Sequence, residues 1–236
     1  TTMSLISIIC GVVGIILAGG WVNDIFIQLG EALIHSQSGH IQIYKQGYFH
    51  EGSRSPEKYL IDDFDQMKKI VAQQITVEKF DSITARLNFS GLLNNGRSDL
   101  PIVGEGVQPE NEGQFSTALR ITDGRQLTDQ DKFGVMLGRG LANGLKLKPG
   151  DTVTLLTNTI EGALNSLDFE VIGIFQTFSN DYDARTIKIS LETAQELLSI
   201  NAVNALVISL KETKDTDQIT TLLKNKLDSF NLEVKT

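Results

Sequence analysis

The run from Met3 to Val22, MSLISIICGVVGIILAGGWV, carries no charged residue. At 1.5 Å per residue such a helix reaches roughly 30 Å, about the thickness of the hydrocarbon core of a bilayer. A helix satisfies its own backbone hydrogen bonds in lipid, and Leu5, Ile6, Ile8, Ile9, Val12, Val13, Ile15, Ile16 and Leu17 lie all round it instead of along one stripe. The run therefore reads as a membrane span and not as a core helix. Gly11, Gly14, Gly19 and Gly20 would weaken a soluble helix, but in lipid they let a neighbouring helix approach closely, so the span expects company. The competing reading is a cleaved secretory signal, since Ala18, Gly19 and Gly20 supply small residues after an apolar core. Against it, Thr1 and Thr2 bring no basic residue, and helical spacing continues through Ile25, Phe26, Leu29, Leu33 and Ile34. That continuation predicts an amphipathic stalk projecting beyond the membrane. Cys10 follows Ile8 and Ile9, whereas a lipidated cysteine needs a small residue just before it.

Removing the first 35 or so of the 236 residues leaves about 200, enough for one large domain or two small ones. The net charge of −8 and the absence of a basic run exclude a nucleic-acid role, because phosphate backbones need clustered Lys and Arg. One cysteine allows no intrachain disulfide. A first residue other than Met reads as the start of a fragment.

Beyond the polar link His35 to Ser38, Gly39 to Tyr44 alternates apolar and polar residues as a half-buried strand does. Gln46 to Pro56 reads as a loop. Ile61, Phe64, Met67, Ile70 and Val71 share one helical face opened by Asp62 and Asp63 as cap candidates. A strand follows over Ile83 to Ser90. Asn94-Asn95-Gly96 predicts a tight type I′ reversal, with Leu100 to Val107 returning alongside. Pro109 to Phe133 reads as acidic loops around a short apolar core of Phe115, Leu119 and Ile121. A short helix is expected at Arg139 to Leu145, then strands at Thr152 to Leu156, Phe169 to Phe175 and Thr186 to Ser190. The end repeats the start: helix Leu191 to Leu198, strand Ala205 to Leu210, helix Asp215 to Ser229 and strand Leu232 to Val234. Two strand–helix–strand units thus flank a mainly β insertion, an α+β arrangement.

Three stretches together resemble the extracytoplasmic domain of ABC-transporter permeases of the FtsX-like, macrolide-exporter and lipoprotein-releasing superfamily, the MacB-type periplasmic core domain. They are Ser38 to Tyr44 directly after the span; Leu137-Gly138-Arg139-Gly140-Leu141-Ala142 running through Leu147-Lys148-Pro149-Gly150-Asp151-Thr152-Val153 to Leu155; and Phe169 to Phe175 followed by Tyr182-Asp183-Ala184-Arg185 and Leu191 to Gln195. The middle stretch makes physical sense on structural grounds alone. Gly138 permits a tight strand-to-helix passage, Leu141 and Leu145 pack one helical face, and Pro149-Gly150-Asp151 turns the chain. Asn143-Gly144 departs from the better helix formers of relatives and bears on how far that helix runs.

The resemblance implies a transmembrane helix and stalk over 1–35, a porter-like mixed α/β subdomain built from 36–110 and 191–236, and a sabre-like mainly β insertion over 111–190. It implies a bacterial inner-membrane permease whose residues after about 24 are periplasmic, followed beyond Thr236 by further spans. Its expected partners are a cytoplasmic ABC ATPase, separate or fused, a second permease subunit in a homo- or heterodimer, and a lipoprotein or other hydrophobic cargo with a periplasmic acceptor. The strand Gly39 to Tyr44 favours the lipoprotein-releasing type. The alternative is a membrane-anchored or secreted envelope module that scaffolds or regulates a partner such as a cell-wall hydrolase.

Catalytic chemistry has little to stand on. No Gly-rich phosphate loop precedes a Lys and a Ser or Thr, so ATP hydrolysis belongs to a partner and no cofactor is expected. His35, His40 and His50 have no metal-ligand spacing, and no Ser sits in a nucleophile elbow. Asp181, Asp183 and Arg185 read as a loop with a surface ion pair. A carrier of greasy cargo needs exposed apolar surface, which makes Phe175, Phe178 and Tyr182 the candidate cargo or partner contacts, with Phe115 a weaker one.

Overall fold

The computed structural model describes residues 2–52, 58–76, 78–111, 119–227 and 230–236. It opens with one helix, α1 (Thr2–Leu33), a single unbroken rod. Its apolar window is long enough to cross a membrane and none of it is buried by the rest of the chain. A short π-type turn, Ile34–Ser38, ends the rod, and the chain bends into β1 (Ile41–Lys45).

Among the described residues, ten strands form one connected sheet. After β1 come β2 (Phe80–Asn94), β3 (Asp99–Val107), β4 (Arg120–Gly124), β5 (Gly134–Gly138), β6 (Thr152–Asn158), β7 (Leu164–Gln176), β8 (Thr186–Ser190), β9 (Ala205–Leu210) and β10 (Leu232–Lys235). Their order is β10-β1-β9-β2-β3-β8-β5-β7-β4, with β6 joining β2 to β7. Pairing is antiparallel except between β3 and β8 and between β5 and β7. The helices are α2 (Phe64–Gln74), α3 (Arg139–Leu145), α4 (Asn180–Asp183), α5 (Leu191–Leu198) and α6 (Thr216–Leu227).

The first four strands in that order, with α2 and α6 as their crossovers, make the split βαβ arrangement of ferredoxin-like layers. Both strand–helix–strand units read from the sequence are present, and β9 inserts between β1 and β2. Asp63 caps α2, its carboxylate accepting from the Gln66 amide at 3.2 Å, while Ile61 stays outside the helix and bridges to Val203. The long β2 then carries the sheet out of this layer to β3 and β6. One hydrophobic core runs beneath both parts, from Ile41, Ile208 and Leu223 to Leu155, Phe169 and Ile187.

Four details differ from the sequence reading. The reversal after β2 is a four-residue loop, because Asn94 pairs with Asp99; Gly96 supplies its positive φ of 81°. β5 precedes α3 where no strand was expected, a run of five buried residues with no alternation to betray it. β4 occupies part of the stretch read as loop, an exposed edge strand that, among the described residues, pairs with β7 alone. Finally, α6 begins at Thr216 and its described part ends at Leu227, with Ser229 and also Phe115 outside the described residues.

Gly138 earns its place by proximity, not by unusual dihedrals. Its φ is −62°, but a Cβ there would run into the Asp183 carbonyl, where α4 lies across the strand-to-helix passage. Gly144 sits within α3 with room around it, and the helix continues to Leu145 before Lys146 adopts a left-handed cap.

Candidate functional site

The place where α1 meets the sheet is held by a set of backbone and side-chain hydrogen bonds. Gly39 turns the corner at φ 66° and ψ −174°, a conformation open essentially to glycine alone. Around it, Ser36 Oγ donates to the Ala32 carbonyl at 2.6 Å and Gln42 Nε2 donates to the Ser38 carbonyl at 2.8 Å. His40 then joins the strand next door: its amide donates to the Ile208 carbonyl at 2.9 Å and its Nδ1 accepts from the Leu210 amide at 3.1 Å. Since Nδ1 accepts, the proton sits on Nε2, which donates to Thr213 Oγ1 at 3.2 Å. His40 is 3 % exposed, and burial, with His35 second, pushes its pKa below the usual imidazole value.

Strand alternation places a polar row on the sheet face next to this corner. Tyr44, Ala205 and Arg86 are register partners across β1, β9 and β2; Asn88, Glu105 and Lys188 are partners across β2, β3 and β8. Leu33 and Ser38 of the stalk end close over them, leaving a cavity of about 220 Å³ lined also by Gln42, Val207 and Tyr182. Glu105 is saturated inside it. One carboxylate oxygen accepts from the Tyr182 hydroxyl at 2.7 Å and the other from Lys188 Nζ at 3.0 Å, with Lys188 3 % exposed. Tyr44 donates to Gln42 Oε1 at 2.8 Å and stacks on Tyr48 at 4.5 Å between centroids. Burial first, then Tyr48, pushes the Tyr44 phenol up to about 12. This arrangement offers fastening: Glu105 neutralises Lys188 across β3 and β8 and holds Tyr182 of α4, while Gln42 ties β1 to the Ser38 carbonyl at the stalk end.

The residues proposed as cargo contacts divide. Phe175 is 0 % exposed and packs with Val107, Leu127, Met136 and Ile172, so its ring presents no surface to a partner. Tyr182 packs half-buried against that cluster, 6.1 Å from Phe175 between centroids, and spends its hydroxyl on Glu105. Phe178 alone of the three is exposed, at 48 %. Asp183 is a correction: it forms no surface ion pair but is buried, its carboxylate accepting from the Thr177 amide and hydroxyl. His35 pairs with Glu31 at 3.4 Å. Among the described residues, no group of three or more His, Cys, Asp or Glu is placed to hold a metal ion.

Arg86, Glu105 and Lys188 were not singled out by sequence reasoning. A signal existed, since the alternation of Thr186, Lys188 and Ser190 with Ile187 and Ile189 in a central strand forces the polar set into a covered face.

The model of a MacB-like periplasmic core domain matches residues 1–226. The chain is 25 % identical over 111 residues to an uncharacterized ABC transporter permease of Methanocaldococcus jannaschii, covering 45 % of this chain but only 26 % of that relative. Two crystal structures share the fold. The periplasmic region of MacB from Actinobacillus actinomycetemcomitans superposes with a TM-score of 0.56 at 16 % identity, covering 86 % of this chain and 91 % of that one. The extracellular domain of the ABC-type transporter YknZ from Gram-positive bacteria gives 0.56 at 14 % identity, covering 83 % and 99 %.

Proposed function

The chain belongs to the MacB-like periplasmic core domain family, and on that premise we propose that it is the first span and extracytoplasmic domain of an ABC-transporter permease subunit. The observation that carries this reading is the unbroken α1, which runs from a lipid-length apolar segment into a corner fastened to the sheet. A helix fixed at its far end moves as a rigid body, so displacement in the membrane is delivered to the domain. In this reading α1 crosses the inner membrane, residues beyond about 24 are periplasmic, and the subunit is not an enzyme. A cytoplasmic ABC ATPase, separate or fused, supplies the energy.

The stalk also supports a second permease subunit as partner. Val22, Phe26, Leu29 and Leu33 recur at alternating spacings of four and three, and are 46, 69, 45 and 42 % exposed. Asp24 and Glu31 fall on the outer side of that seam, where they do not oppose their counterparts on a parallel neighbour. The porter-like part, from 36–110 and 191–236, and the sabre-like insertion over 111–190 are proposed as the two portions that such motion acts on. Cargo is proposed to be a hydrophobic or acylated envelope molecule, lipoprotein included, met at surface such as that of Phe178.

Purifying the full-length gene product in detergent through an affinity tag tests this reading. An ABC ATPase that copurifies, with ATP altering the behaviour of the complex, is the expected result. A preparation with no associated ATPase and no response to ATP contradicts it.

A further inference from the structure

His40 is a buried titratable group in the corner that joins stalk to sheet, and its two ring nitrogens hold opposite hydrogen-bond roles. Nδ1 accepts from the Leu210 amide at 3.1 Å, and Nε2 faces Thr213 Oγ1 at 3.2 Å. A protonated imidazole has two donors and no acceptor, so it would set an N–H against the Leu210 N–H. Leu210 ends β9 and Thr213 opens the following turn, which means the conflict falls where His40 fastens the elbow to its neighbour strand. We propose that His40 is a proton-operated latch: neutral, it locks the stalk onto the sheet, and protonated, it releases the elbow so that stalk and domain move independently.

The surroundings bear on the latch from every side. From the stalk, His35 meets the His40 ring edge-on at 5.4 Å between centroids and is itself paired with Glu31. From β2, Asp81 contributes a weak opposing charge. From the β9 end and turn come Lys211, Glu212, Lys214 and Asp215. Of these, Glu212 pairs with Lys214, and Asp215 accepts from Lys79 at 2.9 Å. Burial and His35 favour the neutral ring, while Glu31 and Asp81 favour the charged one, and the balance lowers the pKa. The sign follows from linkage. A folded value below 6.5 leaves the latch fully formed above pH 6.5, and its contribution declines as the pH falls from there through the folded value. Gly39, one residue before, supplies the pivot, since its dihedrals are already ones that other residues avoid.

The inference rests on the elbow alone and needs neither ATPase nor cargo. It is tested on the full chain in lipid nanodiscs, with Cys10→Ser, spin labels at Gln28→Cys on the stalk and Lys224→Cys on α6, and dilution with unlabelled protein. Stalk-to-domain distances are measured from about pH 8 to about pH 4.5, a range spanning imidazole titration, with nitrogen-15 shifts reporting the state of His40. The expected result is a narrow distance distribution that broadens as His40 protonates, with a midpoint below 6.5. His40→Asn presents a neutral oxygen near the Nδ1 position and should stay narrow throughout. His35→Gln removes the neighbouring imidazole that lowers the His40 value and should move the midpoint to higher pH. A wild-type distribution that does not change as the His40 shifts titrate overturns the proposal. So does an Asn variant that broadens as the wild type does, or a midpoint that His35→Gln leaves in place.

Discussion

Glu105 and Lys188 meet across β3 and β8 with almost no access to water, so replacing one takes from the other the opposite charge it faces at 3.0 Å. Glu105→Leu should therefore cost about 3–5 kcal/mol in denaturant unfolding, while Glu105→Leu combined with Lys188→Met should lose far less than the sum. Additive losses would show that the pair does not act as a unit. Gly138 and Gly144, at either end of the segment around Leu141, separate just as sharply. Gly138→Ala drives a methyl into the Asp183 carbonyl and should cost about 1–3 kcal/mol. Gly144→Ala meets only Leu100 Cδ1 at 3.4 Å and gains helix propensity, so thermal unfolding should show it neutral or stabilised by up to about 1 kcal/mol. Residue by residue, the sequence is a weak guide to such sites. Lys188 and Glu105 are ordinary surface residue types, and only the covering of both faces of central strands makes their pairing obligatory. Phe175 misled in the opposite direction, since an aromatic at a strand end looks the same whether the next layer covers it or not.

Among elements, those with strong local signals were legible to the residue. α3, α5, β8 and β9 span the ranges their periodicity and caps indicate; in α5, Ser190 accepts from the Thr193 amide at 3.2 Å and a left-handed Ser199 closes the other end. β4 and β5 escaped for opposite reasons: one is a polar edge strand and the other a short run buried on both faces, and neither alternates. The seam on α1 was visible as a stalk, but the sheet it leads to is ordered by long-range pairing that no local pattern fixes, such as β9 between β1 and β2. If that seam faces a second subunit, Phe26→Cys should form disulfide-linked dimers in oxidised membranes and Asp24→Cys, on the outer side, should not. Equal crosslinking from both positions would leave the seam without meaning. Gly39 sets the limit of the elbow: Gly39→Ala forces a side chain into dihedrals that cost about 1–3 kcal/mol, and it should loosen the stalk in the same distance measurement that reports on His40.

At the scale of the whole molecule, the decisive property is continuity. A helix with an apolar window fit for lipid, a pinned corner, and a sheet sharing one core form a single mechanical path. Family membership supplies the setting in which such a path is useful. The most direct test reconstitutes the full-length protein with the proposed ATPase in nanodiscs and measures the distance between spin labels at Gln28→Cys on the stalks of the proposed pair, nucleotide-free and trapped with a non-hydrolysable ATP analogue. The account predicts that nucleotide shifts the distance distribution between stalks while the distances within each periplasmic domain hold. Identical stalk distances in both states, with the ATPase bound and nucleotide occupied, would contradict it.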